Sequence, residues 1–273
     1  MTDISARPKQ PRSEGEIRLS VKRRADRTVL DRLRQSGSMK GLFPRDPGPN
    51  MQAVLVNTGG GVTGGDRFET AIHAAAGTTL TVTTQACERA YRAQPGQVAT
   101  LKTRLRVDVR ARLNWMPQET LLFDGSALNR RLSVDLTGDG EFLMVEPLIF
   151  GRTEMGETLG EARFSDRIDI RRTGTPLYLD AMRLHGKVQR HLDRSFVANG
   201  AAALASVVLV SDRAGAHLDA VRQMLPETAG ASLLQPDLLV MRLLARDGFA
   251  LRRSLIPILT RLSGAPLPRC WMI

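Results

Sequence analysis

Residues 98–116 read VATLKTRLRVDVRARLNWM, and this stretch decides the fold. Apolar side chains occupy every second position from Leu105 to Trp115, and charged or polar side chains stand between them. A period of two predicts an extended chain with one buried face and one solvated face. Because an ordinary strand has about 5–6 residues, we expect this one to be unusually long, bent or split.

The same alternation recurs downstream and predicts β-hairpins. Residues 131–136 alternate and lead through Gly138-Asp139-Gly140 into the apolar run 142–149, which is a hairpin signal. A second alternating stretch, residues 163–171, meets residues 177–184 across a turn that contains glycine and proline. Short apolar runs predict three further strands, at residues 51–57, 207–210 and 238–244.

Helix signals are few and lie near the C-terminus. Residues 217–225 place apolar side chains at helical spacing and stop at Pro226. Residues 249–262 carry one apolar stripe with Pro257 inside it, which should kink a helix or mark its start. The sequence therefore predicts a mainly β protein of mostly antiparallel strands, with a few helices after residue 215.

Composition and length favour a single folded domain. Of the 273 residues, 42% are hydrophobic, which supplies a core and excludes wholesale disorder, collagen and small disulfide scaffolds. We expect residues 1–15 to be a disordered basic lead-in and residues 16–273 to form one domain.

Cys87 and Cys270 are the only cysteines, which favours a reducing compartment. We find no signal peptide and no 18-residue apolar run, and expect a soluble, cytoplasmic protein without a membrane span.

The charge balance favours an acidic partner. Lys and Arg total 39 against 28 Asp and Glu, a net charge of +11. The basic stripe from Lys102 to Arg112 is either the solvated face of a sheet or a surface that binds phosphate or carboxylate groups. Because only 4% of the residues are aromatic and no stacking motif occurs, we do not expect nucleic-acid binding.

A glycine-rich segment follows the predicted strand at residues 51–57. Gly59, Gly61 and Gly64 satisfy G-x-G-x-x-G, but a dinucleotide site also needs a helix here, and residues 67–76 could form only a short one. A Walker loop is excluded because no Lys-Ser/Thr follows. The preferred interpretation is a structural loop where two backbone segments cross tightly; the alternative is a nucleotide- or dinucleotide-binding enzyme. The loop glycines are Gly59, Gly60, Gly61, Gly64 and Gly65.

Spacing of His and Cys residues fits no standard metal or nucleophilic site. The four histidines form neither H-x-x-x-H nor H-E-x-x-H, and no C-x-x-C or G-x-S-x-G occurs. Cys87 has no base beside it in the sequence that would activate its thiol. We therefore expect neither a structural zinc nor a preformed high-affinity transition-metal centre.

Six acids stand beside glycine, proline or aromatic residues: Asp66, Glu88, Glu119, Asp124, Glu146 and Glu157. Glu146 matters most, because it interrupts the apolar run 142–150. A buried carboxylate needs a partner, which Arg89, Arg92 or Arg152 could supply. Two interpretations stay open: internal ion pairs that fix strand order, or a hydrated path that passes a hard or borderline cation transiently.

Taken together, several motifs resemble those of the urease accessory protein UreD family, also called UreH. They are the glycine-rich segment from Asn57 to Asp66, TTQA at residues 83–86, Tyr91-Arg92, MPQETLLFD at residues 116–124 and GRTEMGE at residues 151–157. Their order and spacing match over roughly residues 50–185. Such a set is far more specific than a single glycine motif.

The resemblance implies a superhelical stack of strands and a non-catalytic nickel-insertion chaperone. Such proteins bind apo-urease and recruit UreF, which docks the GTPase UreG, so a hetero-oligomer with UreF is expected. Nickel released on GTP hydrolysis then travels through an internal channel, with no permanently bound cofactor. Carried over to this sequence, the channel acids are Asp66, Glu119, Glu146 and Glu157, with Glu88 and Asp124 as further candidates.

The C-terminal segment Pro268–Ile273 ends in three large apolar residues. It could dock back on the protein's own core. Alternatively, together with the preceding helix, it could form part of the contact with UreF and cover apolar surface there.

Overall fold

The structure is a computed structural model that describes residues 11–45, 48–152 and 156–272. Within these residues the chain forms seventeen strands: β1 (Glu14–Arg24), β2 (Arg27–Gly37), β3 (Met39–Leu42), β4 (Met51–Asn57), β5 (Arg67–Ala74), β6 (Thr79–Thr84), β7 (Glu88–Ala90), β8 (Ala99–Val107), β9 (Arg112–Met116), β10 (Thr120–Leu122), β11 (Ala127–Leu136), β12 (Glu141–Phe150), β13 (Glu161–Arg172), β14 (Thr175–Lys187), β15 (Ala203–Val210), β16 (Ala229–Gln235) and β17 (Leu238–Ala245). Three α-helices and a short 3-10 helix complete it: α1 (Val188–Leu192), α2 (Ala214–Met224), α3 (Gly248–Ser263) and Arg269–Trp271.

These strands form two sheets packed face to face. The seven-stranded sheet has the order β14-β13-β11-β8-β5-β1-β2. The ten-stranded sheet has the order β16-β17-β15-β12-β9-β6-β4-β3, with β10 joined to β12 and β7 joined to β10. From β4 to β13 the chain passes back and forth between the sheets and so winds as a solenoid. β6 is followed by β7, and β9 by β10, within the ten-stranded sheet. The prediction of a mainly β stack with few helices is confirmed.

The predicted strand direction is wrong. Nine of the fifteen strand pairings are parallel and six are antiparallel. Each winding crosses to the other sheet and returns in the same direction, which gives parallel neighbours such as β5, β8 and β11. Alternating hydrophobicity reports which face of a strand is buried and does not report the direction of its neighbour.

The stretch at residues 98–116 is split, as its length suggested. β8 belongs to the seven-stranded sheet and β9 to the ten-stranded sheet. The chain turns between them at Arg110, whose φ is +54° and whose backbone N–H donates to Asp139 Oδ1 at 2.7 Å. The hairpin predicted across residues 138–140 is likewise a passage between sheets, because β11 and β12 lie in different sheets.

The remaining predicted elements are largely confirmed. β13 and β14 form an antiparallel hairpin, and β4 has the bounds expected from its apolar run. Helices α2 and α3 cover the two predicted helical segments, and Pro257 lies inside α3. α1 was not predicted. No helix in the described part of the chain is long and apolar enough to span a membrane.

The folded chain starts slightly before the boundary set from the sequence. β1 begins at Glu14, two residues before the expected domain start at residue 16. Pro11, Arg12 and Ser13 precede it without regular structure, and the Ser13 N–H donates to Asp66 Oδ1 at 2.8 Å. Residues 1–10 of the predicted lead-in lie outside the described residues.

Two apolar layers hold the fold together. One lies between the sheets, and the other lies between the ten-stranded sheet and the helices α2 and α3. The C-terminal segment joins the second layer: Trp271 is fully buried and its Nε1–H donates to the Met116 carbonyl at 3.0 Å. Of the two alternatives for this segment, docking on the protein's own core therefore holds for Trp271, whereas Met272 is 65% exposed.

Replacing Trp271 tests this docking. We expect Trp271→Ala to lower the free energy of unfolding by about 3–5 kcal/mol, because it leaves a cavity against the ten-stranded sheet. Urea denaturation followed by circular dichroism measures the change. The neighbouring Met272→Ala serves as control and should change stability by less than about 0.5 kcal/mol. Equal effects of the two substitutions would contradict a docked tail.

Candidate functional site

A cavity of about 200 Å³ lies between the two sheets. Its walls carry polar side chains at positions that elsewhere hold apolar ones. The seven-stranded sheet contributes Phe68, Thr70, Leu101, Thr103, Arg130 and Leu132, and the ten-stranded sheet contributes Leu55, Thr84, Trp115, Thr120 and Glu146. Because Thr70, Thr103 and Arg130 point inward, this part of the interior can hold water.

The glycine-rich loop lines the cavity at one end, which we call the mouth. Asn57 organises the loop: its side chain accepts from the Gly59 N–H at 2.9 Å and donates to the Gly61 carbonyl at 3.0 Å. A Cβ atom on Gly61 would lie 2.4 Å from the Tyr91 ring and 2.6 Å from the Arg89 carbonyl. Only glycine permits this close backbone approach. The loop is thus the tight crossing that the sequence favoured.

The alternative of a dinucleotide site is wrong. The segment after the loop is strand β5, which begins at Arg67, so none of the helices in the described residues starts at the glycines. A Rossmann site places the pyrophosphate against such a helix. The glycines therefore serve packing and leave no phosphate cradle.

Glu88 at the start of β7 is the carboxylate at the mouth. Its two oxygens accept from Asn57 Nδ2 at 3.1 and 3.3 Å. Burial raises the pKa of Glu88 to about 7, with nearby Asp66 adding to the shift and Asn57 opposing it. The group can therefore be neutral or charged near neutral pH.

Arg130 on β11 closes the inner end of the cavity. Its guanidinium pairs with Asp166 on β13 through two bonds of 3.0 and 2.6 Å, and with Glu146 on β12 at 2.7 Å. It also donates to Thr120 Oγ1 at 3.1 Å. The second oxygen of Glu146 accepts from Trp115 Nε1 at 2.8 Å. We call Arg130, Glu146 and Asp166 the buried triad.

Burial and neighbouring charges shift the pKa values of Arg130 and Glu146 in the buried triad. Burial disfavours the charged guanidinium, but Asp166 and Glu146 outweigh it and hold the pKa of Arg130 above its ordinary value. Burial raises the pKa of Glu146, Arg130 opposes this, and Asp166 reinforces it. Two carboxyl groups therefore share the single guanidinium of Arg130.

A second, small cavity continues beyond the buried triad. It has a volume of about 10 Å³, roughly the space of one water molecule. Arg130, Glu146 and Asp166 line it on one side, and Asp180 and Ser206 line it on the other. Asp180 in turn pairs with Arg242 on β17. Glu88 and Glu146 therefore line the larger cavity, and Glu146, Asp166 and Asp180 line the smaller one.

Of the four acids assigned to the channel from the sequence, only Glu146 lines the cavity. Asp66 is 4% exposed and accepts hydrogen bonds from the backbone N–H groups of Ser13 and Thr63, both at 2.8 Å. It therefore holds the glycine-rich loop against the segment that precedes β1. It stands beside the mouth and contributes to the field at Glu88, outside the lining of the cavity.

Glu119 and Glu157 have structural partners elsewhere. Glu119 pairs with Arg252 of α3 at 2.9 Å and so ties the helix to the β9–β10 connection. Glu157 pairs with Arg152 and accepts from the Asp124 N–H at 3.0 Å. Asp124 itself pairs with Arg92. In the structure, all three carboxyl groups hold loops or helices against the sheets.

The sequence reasoning missed the partner of Glu146. Arg89, Arg92 and Arg152 were the candidates, and the structure places Arg130 there instead. A signal was available in the alternation of the two strands. Arg130 and Asp166 fall at inward-facing positions, where the other residues are apolar, such as Leu128, Leu132 and Phe164. Two residues of opposite charge at inward-facing positions of neighbouring strands predict an internal ion pair.

No three His, Cys, Asp or Glu side chains within the described ranges are placed to hold one metal ion together. The carboxylates of the cavity are spread along its length, and oxygen ligands of this kind suit hard and borderline cations. The arrangement can therefore attract a cation at successive points.

Comparison with known proteins gives a consistent result. The sequence model of the family described as UreD urease accessory protein matches residues 13–272. A urease accessory protein UreD from Ruegeria pomeroyi is 57% identical over 90% of this chain and 96% of its own length. Proteins of the same name from Roseobacter denitrificans and Rhizobium leguminosarum bv. viciae are 53% and 42% identical, each over at least 96% of both chains.

Removing the guanidinium tests the buried triad. Arg130→Met should lower the free energy of unfolding by about 3–5 kcal/mol, because it leaves two buried carboxylates without a counter-charge. Arg131→Met is the matched control: its side chain is exposed on the outer face, and its loss should cost less than about 0.5 kcal/mol. Urea denaturation at neutral pH measures both. An Arg130→Met protein as stable as the control would show that the triad is not charged.

The raised pKa of Glu88 predicts a pH-dependent stability. From its ordinary pKa of 4.5 up to about 7, the folded protein keeps a proton that the unfolded chain has lost, so this group's contribution falls as the pH rises. Glu88→Gln stays neutral. Its stability relative to the wild type should therefore be about 2 kcal/mol greater at pH 8 than at pH 4.5.

Thermal or urea unfolding at both pH values measures this difference. Glu14→Gln, at a side chain that is 73% exposed, is the control and should show no such difference. If Glu88→Gln gives the same difference from the wild type at both pH values, the carboxyl group is not perturbed by burial.

Proposed function

Since the chain belongs to the UreD family of urease accessory proteins, we propose that its interior is the route by which nickel reaches apo-urease. As a family member the protein is a non-catalytic accessory protein that serves urease maturation and acts with urease and other accessory proteins. The proposal adds the cargo, the route and the partners. UreF binds the protein directly in this scheme, and UreG binds through UreF.

The observation that carries the proposal is the polar cavity between the sheets with its row of carboxylates. Glu88 stands at the mouth and Glu146 at the inner end of one cavity, and Asp166 and Asp180 line the next. Ni²⁺ is a borderline cation that carboxylate oxygens attract without the strength of a thiolate and imidazole set. A route should hold its ion weakly, because tight binding at one point would stop delivery.

Glu88 is suited to receive the cation. Neutral Glu88 attracts Ni²⁺ weakly, and ionised Glu88 attracts it strongly. Since burial brings its pKa to about 7, a small change in the surroundings decides between the two forms. An approaching cation itself favours the ionised form and releases the proton.

Arg130 limits how far the cation travels unaided. Its guanidinium lines both cavities and repels a divalent cation in a region of low dielectric constant. Passage beyond Glu146 therefore requires the Arg130 side chain to move. The larger cavity offers space on the mouth side for such a movement.

The proposal is tested by reconstitution with apo-urease and the UreF and UreG partners. The double variant Glu88→Gln/Glu146→Gln should assemble the same complex by size-exclusion chromatography. Nickel bound to urease, measured by atomic absorption, should fall by about tenfold, because both carboxylate charges at the ends of the cavity are lost.

Glu14→Gln, on the exposed surface, is the control and should deliver nickel like the wild type. Wild-type nickel content with the double variant would eliminate the carboxylate route. Loss of complex assembly with an unchanged melting temperature would instead assign these residues to partner binding.

A further inference from the structure

The outer face of the seven-stranded sheet carries a trough of about 600 Å³ that the cation route does not use. Five arginines surround it, and we call this set the arginine trough: Arg18, Arg32, Arg34, Arg104 and Arg106. The small side chain of Ala71 lies between them. His73 lines the trough, and no Phe, Tyr or Trp is among the described residues that do so.

Strand register brings the arginines together. Arg34 on β2 lies opposite Arg18 on β1, Arg18 is aligned with Ala71 on β5, and Ala71 is aligned with Arg104 on β8. With strands about 4.8 Å apart, this row extends over about 14 Å. Arg32 and Arg106 belong to the next row on the same face, where Ser20 and His73 stand between them.

Each arginine of the trough reaches a carboxylate, but the carboxylates are shared. Arg32 shares Asp31 with Lys22, and Arg106 shares Asp108 with His73. Asp135 also lines the trough. Arg18 and Arg34 share the single carboxylate of Glu16. Arg104 reaches Glu69 at 3.4 Å, and Lys102 reaches the same group at 3.9 Å. Arginines directly opposite each other destabilise a sheet. The stability of the sheet alone therefore does not explain why Arg18 and Arg34 face each other.

The arginines are also accessible. Between 61% and 90% of each side chain in the arginine trough is exposed. An exposed guanidinium presents a planar fork of N–H donors that pairs with a carboxylate through two parallel bonds. Several such guanidinium groups around the small side chain of Ala71 can bind several carboxylates of one peptide segment.

We infer that the arginine trough binds a carboxylate-rich segment of a protein partner. Carboxylates match the arginine forks. The described lining holds no Phe, Tyr or Trp, so it lacks the large stacking platform that single-stranded nucleic acids use. The trough lies on the outer face of the sheet, so this inference is independent of the route for nickel.

Fluorescence anisotropy with a fluorescein-labelled decaglutamate peptide tests the inference on the full-length protein. The trough variant is Arg18→Gln/Arg34→Gln/Arg104→Gln. The control variant, Arg190→Gln/Arg253→Gln/Arg269→Gln, loses the same charge at exposed positions away from the sheet face. We expect the trough variant to bind the peptide about tenfold more weakly than the wild type, and the control less than twofold more weakly.

Labelled decathymidylate is the second probe, and melting temperatures confirm that both variants fold. If the trough variant does not fold, Arg104→Gln alone replaces it, with Arg253→Gln as its control. Equal weakening by the trough and control variants would show that only net charge matters and would overturn the inference. Tighter binding of decathymidylate than of decaglutamate would overturn it in favour of a nucleic-acid surface.

Discussion

The pairing of Arg130 with Glu146 and Asp166 is the interaction on which the interior depends. It joins the two sheets across the space between them, because Arg130 and Asp166 lie on the seven-stranded sheet and Glu146 lies on the ten-stranded sheet. Removing such charges from water costs several kcal/mol per ion, and their mutual attraction offsets this only with near-ideal geometry. The additional bonds from Trp115 and Thr120 supply that geometry. Arg130 and Asp166 are also aligned in the register of β11 and β13, so a slip of one residue between these strands would separate the two charges.

The solenoid winding explains why a polar cavity can exist beside this triad. Each winding contributes one strand to the seven-stranded sheet and one or two to the ten-stranded sheet, so that inward-facing residues of successive windings stack in rows. Where those rows hold Val, Leu and Phe, the sheets pack closely, as at Leu105, Val107 and Phe142. Where they hold Thr70, Thr103 and Arg130, the side chains do not fill the gap, and a cavity remains. A few residues that face the space between the sheets therefore decide whether the interior of the protein is dry or hydrated.

Much of the fold could be predicted from the sequence, and the strand directions could not. The period of two identified the strands and their buried faces, because that period follows from strand geometry alone. It is the same for parallel and antiparallel neighbours, so the sequence of the turn at residues 138–140 predicts a hairpin although the turn joins two sheets. Glycine turns of this kind reverse the chain equally well within a sheet and between two sheets.

The candidate site was predictable only in part. Glu146 was identified because it interrupts an apolar run, which is a physical reason to expect a buried carboxylate. Asp66, Glu119 and Glu157 were chosen because they stand in the motifs of the family, and the structure shows these carboxyl groups bonded to backbone N–H groups or arginines. A motif reports that a residue type is required at a position, and does not report whether it supports a loop or faces a cavity. The two cases are separated by whether a charged residue lies on the buried face or the solvated face of its strand, as Arg130 and Asp166 illustrate.

The same strands carry opposite roles on their two faces. On β8 and β11, Thr103 and Arg130 face the cavity, whereas the neighbouring residues Lys102 and Arg131 face solvent. A shift of one residue in either strand would exchange these faces, bury unpaired basic side chains and expose the apolar set. The charged residues inside and outside the seven-stranded sheet are therefore constrained together. Because Arg130 and Asp166 are aligned in the register of β11 and β13, the register that pairs them also sets which basic side chains the outer face presents to a partner.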